Sequence, residues 1–324
     1  MFVNPQIVNS KPVHINDIVV VVRNGSRKLI GKHVLIQHEL HDTVIGAFMT
    51  GIRSSNNFFI NATLDSQLFK KEIQKNLGST INQITVKNFQ NMAFGFPSKI
   101  EKDKIGKLFR IIGNIISLQQ RKLKLLKVMK KALSQYMFCQ ETEFVPILRF
   151  NSFSDKWKYE RLKKLIVKEI KGKAKADMKG TKSTYIDTAL LNGGSITKVD
   201  SPTDTFHNDI IILWDGSQAG KIYHGFTGAL GSTLKSYKPK YSGGFLYQYL
   251  KSKEPIIFLR YRTPNIPHVV KDFTEIFKIN VPSVKEQEKI SKTLNYLDQS
   301  ILVETKKIGS IKKIKKFLLQ NMFI

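Results

Sequence analysis

"VPSVKEQEKISKTL", Val281 to Leu294, reads as a strand end, a proline stop and the first turns of a charged helix. The chain contains an earlier version of it. "FPSKIEKDKIGKLF", Phe96 to Phe109, carries Pro, Ser, Glu, Lys and Ile in the same places. The correspondence runs without a gap from Pro97 and Pro282 to Phe138 and Phe323. It pairs Glu101 with Glu286, Ile105 with Ile290, Ile116 with Ile301 and Met137 with Met322. A gapless match of this length marks one duplicated supersecondary unit.

Both copies carry a helical seam. In the first it runs Ile105, Phe109, Ile112, Ile116, Gln119, Leu123, Leu126, Lys130, Leu133. In the second it runs Ile290, Leu294, Leu297, Ile301, Glu304, Ile308, Ile311, Lys315, Leu318. Alternating steps of three and four are the stripe of a coiled coil. No proline interrupts either stretch, and each begins just after one. Two unrelated amphipathic helices on separate cores are the alternative. The polar interruptions coincide, and such residues fix register. Antiparallel packing about a pseudo-twofold predicts Lys130 against Glu304 and Gln119 against Lys315.

The echo continues upstream with small gaps. "NDIVVVVRNGS" (Asn16 to Ser26) parallels "NDIIILWDGS" (Asn208 to Ser217), a buried strand followed by a turn. "IGAFMT" parallels "TGALGST", and "ITVKNF" (Ile84 to Phe89) parallels "HVVKDF" (His268 to Phe273). Each unit is therefore an α/β segment followed by a long helix. Met1 aligns near Leu190, so the first globular unit is expected to lack what the second holds between about Val145 and Ala189.

Composition narrows the function. The 324 residues include 53 Lys and Arg against 25 Asp and Glu, a net charge of +28. So basic a chain points to a polyanion, nucleic acid first, with an anionic membrane face or an acidic partner protein as alternatives. At 41% hydrophobic residues it can bury real cores. The single cysteine, Cys139, excludes an internal disulfide framework and a Cys-rich zinc site and fits a reducing compartment. No signal pattern opens the sequence, and no apolar run approaches the ~20 residues of a membrane span. A soluble cytoplasmic chain without a membrane partner is expected.

The organisation resembles the specificity subunit of type I restriction-modification enzymes. "VPILRFNSFSDKWKYERL" (Val145 to Leu162) looks like the opening of that family's second target recognition domain. "NDIIILWDGSQAGK", "GSTLKSYKPKYSGGFLYQYLKS" (Gly231 to Ser252) and Ile266 to Ile301 resemble its strand-and-turn segment, domain exit and conserved helical region. The resemblance implies an α+β fold. Two globular target recognition domains, the first incomplete, are separated by two long helices packed as an antiparallel coiled coil. The implied divisions are 1–85, a partial first recognition domain; 86–140, a central conserved region; 141–265, the second recognition domain; and 266–324, a distal conserved region. The implied partners are double-stranded DNA, read as a split site, and methyltransferase subunits, two per chain, with restriction subunits joined through them. The missing opening of the first domain suggests a truncated allele, a partial chain or a product of a rearranging locus. A scaffold that assembles but reads one half-site or none is the alternative.

No catalytic constellation, cofactor motif or metal motif is found. "KGTKST" (Lys179 to Thr184) and "GSQAGKI" (Gly216 to Ile222) miss the phosphate-loop spacing. "HELH" (His38 to His41) is not a zinc-protease motif, and with His33 it leaves only a weak metal candidate. No amino-methyltransferase loop or nuclease carboxylate pair appears, so the chain is read as non-enzymatic.

Three stretches suit DNA. Lys168 to Tyr185 reads as a flexible basic loop, with Lys173, Lys175, Lys179 and Lys182 for phosphates, Gly for close approach, and Ser183 and Tyr185 for positioning. The alternative is a solvated loop. The turn at Asp215, Ser217, Gln218 and Lys221 offers base-reading chemistry, with a plain turn as the alternative. Lys238 and Lys240, in "YKPKY", interleave cations with aromatics. The outer helix faces are basic too, at Lys122, Lys124, Lys127 and Lys131 and at Lys306, Lys307, Lys312, Lys313 and Lys316.

Overall fold

The computed structural model describes residues 11–77, 82–140, 143–265 and 267–323. In chain order the first elements are β1 (Ile18–Val21), β2 (His33–Leu35), β3 (Met49–Ile52), α1 (Asn57–Asp65), α2 (Gln67–Asn76), α3 (Val86–Gln90) and α4 (Lys99–Tyr136). Then come β4 (Lys158–Arg161), β5 (Ile166–Lys171), β6 (Lys179–Ile186), α5 (Thr188–Leu191), β7 (Lys198–Val199), β8 (Ile210–Leu213), β9 (Ile222–His224), β10 (Ala229–Leu230) and β11 (Leu234–Pro239). The last are α6 (Gly243–Ser252), α7 (Glu254–Arg260), α8 (Phe273–Ile276), β12 (Lys278–Val281) and α9 (Val284–Asn321). The fold is mixed helix and sheet. It divides into two compact units, Met1–Leu123 with Val303–Ile324, and Lys124–Leu302.

The repeat seen in the sequence sets the helix boundaries. α4 and α9 are each 38 residues, about 57 Å at 1.5 Å per residue, and start and stop at matched positions. Their entries are built alike. Ser98 Oγ accepts from the Glu101 backbone N–H at 3.3 Å, and Ser283 Oγ accepts from that of Glu286 at 3.4 Å. Each serine thus satisfies one of the free N–H groups of a first turn.

The first unit holds an antiparallel sheet in the order β2-β1-β3. Ile18 and Val20 face a core with Ile30, Leu64, Phe69, Ile73 and Ile84. Ile105 and Phe109 of α4 pack with Phe59 and Ala62 of α1, and Leu318, Leu319, Met322 and Phe323 close over them. Lys122 pairs with Glu304 in the same unit, so the two helical segments run antiparallel.

The second unit repeats that sheet and extends it, in the order β5-β11-β8-β9. Ile18 lies opposite Ile52 and Leu35 in the first unit; Ile210 lies opposite Tyr237 and His224 in the second. Even the isolated bridge Arg23–Gln83 has its counterpart in Asp215–His268. A second sheet, β10-β6-β7, and the pair β12-β4 complete the unit. Its main core gathers Trp157, Ile210, Tyr237, Phe245, Tyr249, Ile290 and Leu294. Ring contacts repeat as well: Phe138 packs on Phe245 at 5.9 Å, and Phe323 on Phe59 at 5.7 Å.

The heptad seam lies inward. Ile105, Phe109, Ile112, Ile290, Leu294, Leu297, Glu304 and Ile308 are buried, and the remaining seam positions are half-buried. The expected polar pairing is corrected. Lys130 meets Asp298 rather than Glu304, Glu304 meets Lys122, and Lys315 meets Asp65 rather than Gln119. Glu304 therefore finds a lysine about two helical turns earlier than its sequence mate suggested. Gln119 Oε1 and Glu304 Oε2 are buried without a hydrogen-bond partner among the described residues.

Candidate DNA interface

All three basic stretches lie in the second unit. The segment Lys168 to Tyr185, expected as a flexible loop, is mostly ladder, with β5 and β6 flanking a short connection. Lys173 and Lys175 stand exposed in that connection. Lys179 opens β6, and a bulge follows: Val199 opposes both Lys179 and Ser183, so residues 180–182 loop out and carry Lys182 into solvent. Lys173, Lys175, Lys179 and Lys182 are thus all exposed along this segment.

The glycines of this segment serve the fold. A Cβ on Gly172 would stand 1.9 Å from the Gly231 carbonyl oxygen, and one on Gly180 would stand 2.6 Å from Asp200 Cβ. Their small size is used for internal close approach. Ser183 is buried, its hydroxyl 3.0 Å from that of Thr203. Tyr185 is half-buried against Ala174, Val199 and Ala229, and burial pushes its hydroxyl pKa up.

The second stretch is an exposed tip. Ser217 and Gln218 are exposed between Gly216 and Gly220, both with positive φ. Gln218 Oε1 accepts from Lys221 Nζ at 2.7 Å, and the Ser217 carbonyl accepts from Arg262 at 3.1 Å. In the third, Lys238 projects from β11 and Lys240 follows it, both exposed. Lys240 stands 5.4 Å from the centre of the Tyr241 ring.

The ladder between β5 and β11 adds a feature that sequence reasoning missed. Lys171 lies directly opposite Lys235, and Lys168 opposite Lys238. Like charges facing across strands destabilise a sheet and are relieved by an anion. Lys235 is half-buried over the Trp214 ring at 3.4 Å, and burial lowers its pKa. Alternation along "TLKSYKPK" could have flagged the outward lysines, but the pairing with β5 was not legible without register.

The histidines flagged in the sequence do not gather. His33 turns inward against Phe69 and Asp65, whereas His38 and His41 are exposed. Among the described residues no group of three or more His, Cys, Asp or Glu could hold a metal. None of their helices is long and apolar enough to cross a membrane.

Residues 154–313 match the model of the type I restriction modification DNA specificity domain. That span covers the basic edge, the exposed tip and β11, and defines the class. Over 168 residues the chain is 34% identical to the type I restriction enzyme MjaVIII specificity subunit of Methanocaldococcus jannaschii, covering 48% of this chain. It spans 40% of that relative's length. In fold it is similar to the S subunit of a type I restriction-modification system from M. genitalium, at a TM-score of 0.73 and 18% identity. That match covers 98% of this chain and 84% of the other. A chain from a structural study of type I system assembly and conformational transition matches at a TM-score of 0.55 and 15% identity, covering 95% and 82%. Residues 154–313 are thus similar to the specificity domain of type I restriction-modification systems.

Proposed function

We propose that the chain reads a split DNA site and holds methyltransferase subunits on it, joining restriction subunits through them. The observation that carries this is the repeat itself. Two units share a sheet register and a helix of the same length and boundaries, as a reader of two half-sites separated by a spacer requires. In this reading 1–85 and 141–265 are the recognition domains, and 86–140 and 266–324 are the conserved helical regions. Lys173, Lys175, Lys179, Lys182, Lys238 and Lys240 neutralise phosphates, while Ser217 and Gln218 reach base edges.

The helices also present an outward apolar face. Ile111, Ile115 and Leu118 are exposed on α4 in the first unit, and Leu125, Val128 and Met129 in the second. Their spacing repeats the heptad step on a second face, which suits a partner helix. Native mass spectrometry of the tagged chain co-expressed with its methyltransferase tests this: two copies per chain support the reading, and no complex contradicts it.

A scaffold that reads only one half-site has its own support. The first unit, as described, has no equivalent of β4 to β7 beside its sheet.

A further inference from the structure

The turn "DGSQAGK", Asp215 to Lys221, joins β8 to β9 in the second unit. Lys221 starts from fixed backbone. Its carbonyl accepts from the Leu213 N–H at 2.9 Å, and its N–H donates to the Gln218 carbonyl at 3.2 Å. Its ammonium reaches back and donates to Gln218 Oε1 at 2.7 Å. An ammonium has donors and no acceptor, so the amide must turn its oxygen to Lys221 and its NH2 away. Gln218 is exposed, and that NH2 has no hydrogen-bond partner among the described residues.

The turn that carries the pair is held from both sides. Arg262, 4.7 Å from the centre of the Phe258 ring, donates to the Ser217 carbonyl at 3.1 Å. The Gly216 N–H donates to the Pro267 carbonyl at 2.9 Å. Gly220, at φ +95°, lies against α7, where a Cβ would stand 3.0 Å from Ile257 Cγ2. A tip fixed before contact loses little freedom on binding.

A glutamine with both ends free suits adenine, accepting from N6 and donating to N7. Here the oxygen is already spent. An N6 amino group approaching it would meet the Lys221 ammonium, donor against donor. The pair therefore presents donors outward: the amide N–H groups and those remaining on Lys221 Nζ. Guanine answers such an array, because N7 and O6 on its major-groove edge both accept. Asp215, exposed on the same turn, supplies an acceptor that suits the cytosine amino group beside that O6.

We propose that Gln218 and Lys221 together read the guanine of a G·C pair, and that Lys221 sets this choice. The proposal rests on the tip meeting base edges and adds which base it takes.

The test selects duplexes from a random library with the chain assembled with its methyltransferase, as wild type, Gln218→Ala and Lys221→Met. Gln218 is exposed and Lys221 joins the sheet through its backbone, so both variants keep the fold. The expected wild-type motif contains a G·C position whose preference falls about tenfold in Gln218→Ala. In Lys221→Met the freed amide gains adenine at that same position. A Gln218-dependent position that is A·T in the wild type overturns the proposal. So does a motif unchanged by Gln218→Ala, guanine retained in Lys221→Met, or a loss spread evenly over all sequences, which marks a phosphate contact. Each of these leaves base reading by the chain intact. A wild-type selection that enriches no motif overturns base reading itself, and this proposal with it.

Discussion

Arg149 holds Glu286 through two parallel hydrogen bonds, Nε to Oε1 and Nη2 to Oε2, each 2.8 Å. The second nitrogen also donates to the Asp155 carbonyl at 2.7 Å. The arginine of the "VPILRF" stretch therefore ties the entry of the second unit to the first turn of α9. Both side chains are nearly shielded from water, at 11% and 1% exposure.

Removing one partner strands the other. Arg149→Ala should cost about 3–5 kcal/mol, because Glu286 is left charged and buried. Arg149→Met combined with Glu286→Leu should cost less than the single change. Urea unfolding of the variants measures this, and equal losses would show that packing and not charge dominates the contact.

Asp65 supplies a pH dependence. Burial raises its pKa, but His33 and Lys315 outweigh burial and hold it at about 2. The folded value lies below the ordinary 3.8, so the group's stabilisation is full above about pH 4 and is lost as pH falls through about 2. Asp65→Asn should flatten the fall in urea midpoint across that window and lower stability at neutral pH. An unchanged acid profile would remove the triad from the account.

The helix faces separate packing from docking. Leu294 is fully buried, and Leu294→Ala should cost about 2–5 kcal/mol. Leu118→Glu and Leu125→Glu change exposed positions and should shift stability by less than about 0.5 kcal/mol. The same two variants should lose capture of the methyltransferase subunit in a pull-down. Normal capture would leave the outward apolar face without a role.

The basic edge predicts a salt effect. Lys173→Ala with Lys179→Ala should weaken DNA binding roughly uniformly across sequences. The slope of log K against log salt should fall by about 1.8, at about 0.9 per phosphate contact. An unchanged slope would remove the β5–β6 connection from the interface.

What was legible followed from periodicity. A gapless repeat fixed both long helices, since capping and seam spacing are local, and the matched ends of α4 and α9 follow. Register between helical segments was not local. Packing of Phe323 on Phe59 and of Phe138 on Phe245 anchors the segments, and the anchor moves Glu304 to Lys122. Glycines 172 and 180 looked like loop residues because their neighbours across the fold, Gly231 and Asp200, are distant in sequence. The opposed lysines of β5 and β11 were hidden for the same reason.

Selection from a random DNA library by the chain assembled with its methyltransferase, followed by sequencing, tests the central claim most directly. Enrichment of one motif in two parts separated by a fixed, unspecified spacer is the predicted result. A single short half-site, or no enrichment from an assembled complex, would contradict it.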